Sequence, residues 1–134
     1  MLATSLSTLP DFLAYFCAGA VLVLIFSFIY TLITPHNELP LIRKGNTAAA
    51  IGFGGALIGY TLPLASAIAH SMSFIDMFAW GSVGLGVQII VLGLVRIAVP
   101  GLFQDMENGQ MAPATLLASI SLAAGLLNAA SMTY

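Results

Sequence analysis

Charge is what this sequence has least of. Asp, Glu, Lys and Arg make up 6% of 134 residues, three basic against five acidic, for a formal net charge of −2. Soluble domains carry roughly 25% charged residues, so this chain is too poor in charge to cover itself with a water-facing surface. Three cations leave nothing for nucleic acid to bind. Cysteine occurs once, as Cys17 within an apolar run. That excludes an internal disulfide and reads as small apolar packing rather than redox chemistry. Histidine occurs twice, as His36 and His70, and neither has a Cys, Ser or carboxylate set at useful spacing. No Gly-Lys-Ser/Thr phosphate loop and no His-x-x-x-His pair occurs either. The expectation is a protein that is not an enzyme, with no catalytic, cofactor-binding or metal-ligating set.

What is present is hydrocarbon. Hydrophobic residues make up 60% of the chain and the mean hydropathy is +1.04. A membrane-spanning helix needs about 20 apolar residues, and four stretches qualify: 11–34, 48–69, 75–99 and 114–132. The expected fold is all-α, a polytopic membrane protein with four transmembrane helices. Residues 1–10 contain no Lys or Arg, which a cleaved signal peptide requires, so the first stretch is expected to stay in the mature protein.

The four stretches read as one two-helix unit written twice. Thr8-Leu-Pro-Asp11 corresponds to Ser73-Phe-Ile-Asp76, and at the same spacing Ala14-Tyr15 falls on Ala79-Trp80, Gly19 on Gly84 and Pro35 on Pro100. Beyond the prolines the spacing shortens by one residue, and Gly45-Asn46-x-Ala48-x-Ala50 falls on Gly109-Gln110-x-Ala112-x-Ala114. The halves are 1–70 and 71–134. Each contains two spans, so both insert in the same direction, related by a pseudo-two-fold along the membrane normal. Arg43 and Lys44 follow the first stretch, Arg96 ends the third, and the turn and both termini have no Lys or Arg. The positive-inside rule then places the 35–46 and 100–112 loops in the cytoplasm and both termini in the periplasm.

Small residues mark where helices touch. Ala48, Gly52, Gly55 and Gly59 line one face of the second helix; Ala114, Ala118, Ser121, Gly125 and Asn128 line one face of the fourth. Lipid supplies no hydrophobic drive for association, so close backbone approach through such seams is the main attraction. Gly84 sits in a similar cluster with Gly81 and Gly86 on the third helix, after the interfacial anchor Trp80. Pro63 interrupts the second helix, and the flanking Thr61 and Ser66 are placed to satisfy the carbonyl it frees.

Polar residues at depth are few. Gln88 lies about 12 residues, or ~18 Å at 1.5 Å per residue, below Asp76, and Ser121 reaches a similar depth. An unpaired amide costs several kcal/mol in hydrocarbon, so Gln88 faces either protein, as interhelical glue, or a water-filled path shared with Thr61, Ser121 and Asn128. No acid, Lys or Arg occupies the centre of a span, which argues against a proton-coupled carrier with a fixed charge relay. At the outer ends, Asp11 and Asp76 read either as helix-start carboxylates or, with His70, as a cation-attracting rim. Asp105 and Glu107 stand where Arg43 and Lys44 stand in the other half, either as a docking complement or as solvated loop residues.

Gly45-Asn46-x-Ala-Ala-Ala50-Ile, Pro63-Leu-Ala-Ser-Ala-Ile-Ala-His70-Ser, Asp76, Trp80-Gly81, Gln88, Pro100, Gly109-x-x-Ala-Pro-Ala114 and Ser121-Leu-Ala-Ala-Gly-Leu-Leu-Asn-Ala-Ala130 together resemble the YjfL family of small bacterial inner-membrane proteins. The resemblance covers nearly the whole chain. It implies a family of unknown function with no catalytic residues to carry over. It also implies a gene neighbourhood with a PspA-like membrane-stress protein and ATP-grasp ligase-like enzymes, hence an envelope-maintenance context. The functional expectation is a non-enzymatic inner-membrane component of an envelope-stress or membrane-integrity system, working in the lipid bilayer as a homo-oligomer. The alternative is an oligomeric ion channel or small-solute transporter.

Overall fold

The structure is a computed structural model that describes residues 6–34 and 38–132, and among these residues all regular structure is helical. Four helices are long and apolar enough to cross a bilayer: α1 (Leu9–Ile33), α3 (Thr47–His70), α4 (Phe74–Ala98) and α6 (Met111–Ser131). Two short helices, α2 (Glu38–Arg43) and α5 (Leu102–Glu107), occupy the connections that hydropathy alone reads as loops. Pro35 and His36 lie outside the described residues.

The helix ends follow local chemistry. Asn46 Oδ1 accepts from the Ala49 amide at 3.1 Å and starts α3. Ser73 Oγ accepts from the Asp76 amide while the Asp76 carboxylate accepts from the Met72 amide, both at 3.1 Å, so α4 begins with a reciprocal cap. The matching Thr8 and Asp11 pattern does not form this cap. Thr8 has φ −90° and ψ −8°, a helical conformation, and makes no side-chain cap bond; Ser73 is extended, with φ −151° and ψ 168°. A capping hydroxyl reaches the next turn only from non-helical backbone.

Both short helices stop at a left-handed glycine, Gly45 (φ 88°) and Gly109 (φ 87°). In each, the glycine amide donates three residues back (to Ile42, to Met106) and the next amide five back (to Leu41, to Asp105). This closes the last carbonyls in a way side chains with a Cβ disfavour.

The centre of the bundle is the α3–α6 contact. Contacts advance together along both helices, from Gly52 on Leu117 through Gly55 on Ala118 to Gly59 on Ser121 and Gly125, so the two helices run parallel. A Cβ at Gly55 would lie 2.5 Å from Ala118 Cα, and one at Gly125 would overlap the backbone of Gly59. The helices touch main chain to main chain, which gives the dispersion energy that replaces hydrophobic drive in lipid.

α1 is held differently. Its C-terminal half stacks Phe26 on Tyr60 (5.0 Å) and packs Tyr30 on Phe53 (5.1 Å), and its N-terminal half sets Tyr15 edge-on to Phe74 of α4 (5.5 Å). Its outward face, with Phe12, Phe16, Leu24, Phe28 and Leu32 all at least 60% exposed, is suited to lipid.

Candidate functional site

A buried side-chain amide sits where three helices meet. Gln88 of α4 is 2% exposed, and its Nε2 donates to the Gly59 carbonyl of α3 at 3.1 Å and to the Ser121 carbonyl of α6 at 3.3 Å. The reason lies four residues along α3. A helical amide donates to the carbonyl four residues before it, and residue 63 is a buried proline inside the helix. Proline has no N–H, so the carbonyl it leaves is that of Gly59. The Gln88 amide fills that vacancy. The flanking side chains do not: Thr61 Oγ1 donates to Ile58 O (2.8 Å) and Ser66 Oγ to Ala129 O (3.2 Å).

Around this junction the small residues make room. Gly84 of α4 lies against the proline ring, where an added Cβ would be 3.2 Å from Pro63 Cβ and 3.5 Å from Asn128 Nδ2. Asn128 Nδ2 is buried and has no hydrogen-bond partner among the described residues. Tyr60, with no exposed surface, donates its hydroxyl to Gly81 O at 3.0 Å and ties α3 to α4 one turn further on. Gly52, Gly55, Gly59, Ser121 and Gly125 are all buried within the single chain.

The remaining candidates lie elsewhere. Thr61 does not reach the junction; it lines a bilayer-facing groove of about 510 Å³ between α1 and α3, with Gly19, Ala20, Leu64, Ala65 and Ile68. The wall of that groove is apolar. At the end of the bundle formed by the α3–α4 turn, His70 Nδ1 lies 3.0 Å from Ser66 O and 3.4 Å from Ser66 Oγ, Asp76 is engaged in the α4 cap, and Asp11 is exposed on α1. Among the described residues no three His, Cys, Asp or Glu side chains gather as metal ligands. At the other end Arg96 donates to Ile33 O and caps α1.

Two features escape a sequence reading. Glu38 has no exposed surface and lies within electrostatic reach of the buried Tyr30 hydroxyl; a single acid between proline-flanked loop residues carries no pattern that signals burial. Asn46, besides capping α3, donates from Nδ2 to Met106 O (3.2 Å) and Glu107 O (3.0 Å), locking the two connecting segments together. Its capping role is legible from position, whereas the cross-link exists only once α5 has folded beside it.

The comparisons with known proteins agree with this architecture. Residues 3–132 match the family model described as Domain of Unknown Function (DUF350). The chain is 44% identical over 129 residues to the UPF0719 inner membrane protein YjfL of Escherichia coli (strain K12), covering 96% of this chain and 98% of that protein. It is 25% identical over 126 residues to the UPF0719 transmembrane protein YshE of Bacillus subtilis (strain 168), covering 92% and 94%. No solved structure matches. With four membrane-length helices and a match over almost its full length, the chain belongs to the YjfL/UPF0719 family of multi-pass inner-membrane proteins built on the DUF350 domain.

Proposed function

We propose that this protein is a non-enzymatic component of an envelope-stress or membrane-integrity system, working as a homo-oligomer, with a PspA-like membrane-stress protein as its partner. The observation that carries the reading is the junction itself. The one amide at mid-membrane is committed to two backbone carbonyls and is 2% exposed, whereas a conducting path needs such groups turned toward water. Polar chemistry in this chain is used to hold helices together.

Several features support the finer architecture. The tandem unit, with halves 1–70 and 71–134, accords with two short helices that end in the same glycine geometry and with the parallel α3–α6 contact. A homo-oligomer accords with Gly54, Gly86 and Gly93, where an added Cβ meets no described atom within 4 Å. Glycine in a helix is about 1 kcal/mol worse than alanine, and a second copy approaching closely would use that space. The Arg96 bond to Ile33 brings α1 and α4 together at the end that also holds Arg43 and Lys44. By the positive-inside rule that end is cytoplasmic and both termini periplasmic.

The test separates this reading from a channel. In a Cys17→Ala background, Gln88→Cys is expected to resist small water-soluble thiol reagents, and liposomes containing the purified protein are expected to show no added ion flux. Rapid labelling together with flux that Gln88→Leu abolishes would establish a channel instead. A deletion strain is expected to lose tolerance to membrane-damaging agents; unchanged tolerance removes the stress role.

A further inference from the structure

Pro63 divides α3 into two parts with different supports. Before it, Gly52, Gly55 and Gly59 lie against α5 and α6 with almost no clearance. Beyond it, the last two turns carry Leu64, Ala65 and Ile68, which together with Thr61, just before the proline, form one wall of the 510 Å³ groove facing α1. The break between the parts lacks one main-chain hydrogen bond, the one to Gly59 O, and the atom occupying that position is Gln88 Nε2 from a different helix.

We propose that Gln88 is a latch on a proline hinge: its amide replaces the missing N–H of Pro63, fixes the direction of the outer turns of α3, and so sets the width of the α1–α3 groove. The neighbouring contacts are arranged around the same point. Gly84 seats the proline ring, Tyr60 ties the turn before the hinge to Gly81, and Ser66 fastens the turn after it to Ala129. The first two join α3 to α4, and the last joins it to α6. Release of the Gln88 bond leaves the outer segment with the Ser66 bond and the apolar packing of Leu64 and Ala67, contacts that do not fix its direction at the hinge, so that it can tilt toward or away from α1.

The test uses the chemistry of the missing bond. Replacing Pro63 by alanine returns an N–H to residue 63 and makes the Gln88 amide redundant at Gly59 O. Spin labels on Ala20→Cys and Ala65→Cys, in a Cys17→Ala background reconstituted in nanodiscs, report the groove. Labels on Ile25→Cys and Ile58→Cys report the segment before the hinge. Gln88→Leu is expected to broaden or shift the 20–65 distance and leave the 25–58 distance unchanged. Pro63→Ala/Gln88→Leu is expected to restore the wild-type 20–65 distance. The proposal is overturned if Gln88→Leu leaves the groove distance unchanged, if both pairs broaden alike, or if Pro63→Ala gives no rescue. Should Gln88→Leu not accumulate in the membrane, yield becomes the readout. Recovery of yield in the double variant supports the latch, and failure of both variants overturns it.

Discussion

A glycine matters here for the atom it lacks. At Gly125 an added Cβ would overlap Gly59 main chain, and at Gly55 it would sit 2.5 Å from Ala118 Cα, so neither site accepts a side chain without parting the helices. Leu24 is 68% exposed on α1 and faces hydrocarbon, where trimming it removes little. Gly125→Leu is therefore expected to cost about 3 kcal/mol or more, the upper range for overpacking, and Leu24→Ala no more than ~0.5 kcal/mol. Thermal unfolding in mild detergent measures both, and equal midpoints would show that the seam is not what holds the fold. Because these contacts lie within one chain, the defect is expected to appear in the folded subunit before it appears in any assembly. Gln88 illustrates the complementary rule. Interhelical polar bonds in membranes average only ~0.6 kcal/mol, and this one counts for more by direction than by energy, since it reaches a carbonyl that its own helix cannot satisfy.

At the scale of elements, the two connections differ in strength. Asn46 caps α3 and also donates to the last carbonyls of α5, whereas Gln110 precedes α6 without a side-chain cap bond. The extra methylene of glutamine carries its carbonyl past the amides that asparagine reaches, and Pro113 in the first turn of α6 removes one amide that would need a cap. Asn46→Ala is expected to cost about 2 kcal/mol, one part for the cap and one for the cross-link, while Gln110→Ala is expected to lie within ~0.5 kcal/mol of wild type. Chemical denaturation of the two variants side by side checks this, and a Gln110→Ala loss as large as that of Asn46→Ala would refute the asymmetry. The starts of α1 and α4 differ in the same way, with Ser73 capping α4 and Thr8 making no cap bond at α1.

At the scale of the whole molecule, α3 is the hub. It contacts α1 through aromatic rings, α4 through Tyr60 and Gln88, and α6 through the glycine seam. α1 is the outlying helix, with one broad apolar face left to lipid. The distribution of basic residues gives the bundle a direction: Arg43, Lys44 and Arg96 all belong to the end where α2 and α5 lie. A reporter active only in the periplasm is expected to work when fused after residue 134 and to fail when inserted near residue 37. The reverse pattern would invert the orientation without altering the packing described above.

Composition and period determined the class of this protein without reference to contacts. Runs of about 20 apolar residues can be stable only as helices in a bilayer, since every backbone group must be bonded within its own segment, so the four spans were legible to within a few residues of their ends. Small-residue spacing likewise marked the faces of α3 and α6 that touch, because close approach requires the side chain to be missing. Which partner each group takes was decided by tertiary structure. Gln88 read first as interhelical glue, with a pore-lining role as the alternative, and the freed carbonyl at Pro63 had nearer candidates in Thr61 and Ser66. Only the placement of α4 across the α3–α6 contact brings an amide 3.1 Å from Gly59 O. The same holds for Glu38, whose burial depends on how α2 folds back on the bundle, and for Thr8, whose backbone adopts helical angles where its counterpart Ser73 is extended. A sequence states what each residue can bond; the fold decides which of those bonds lies within reach.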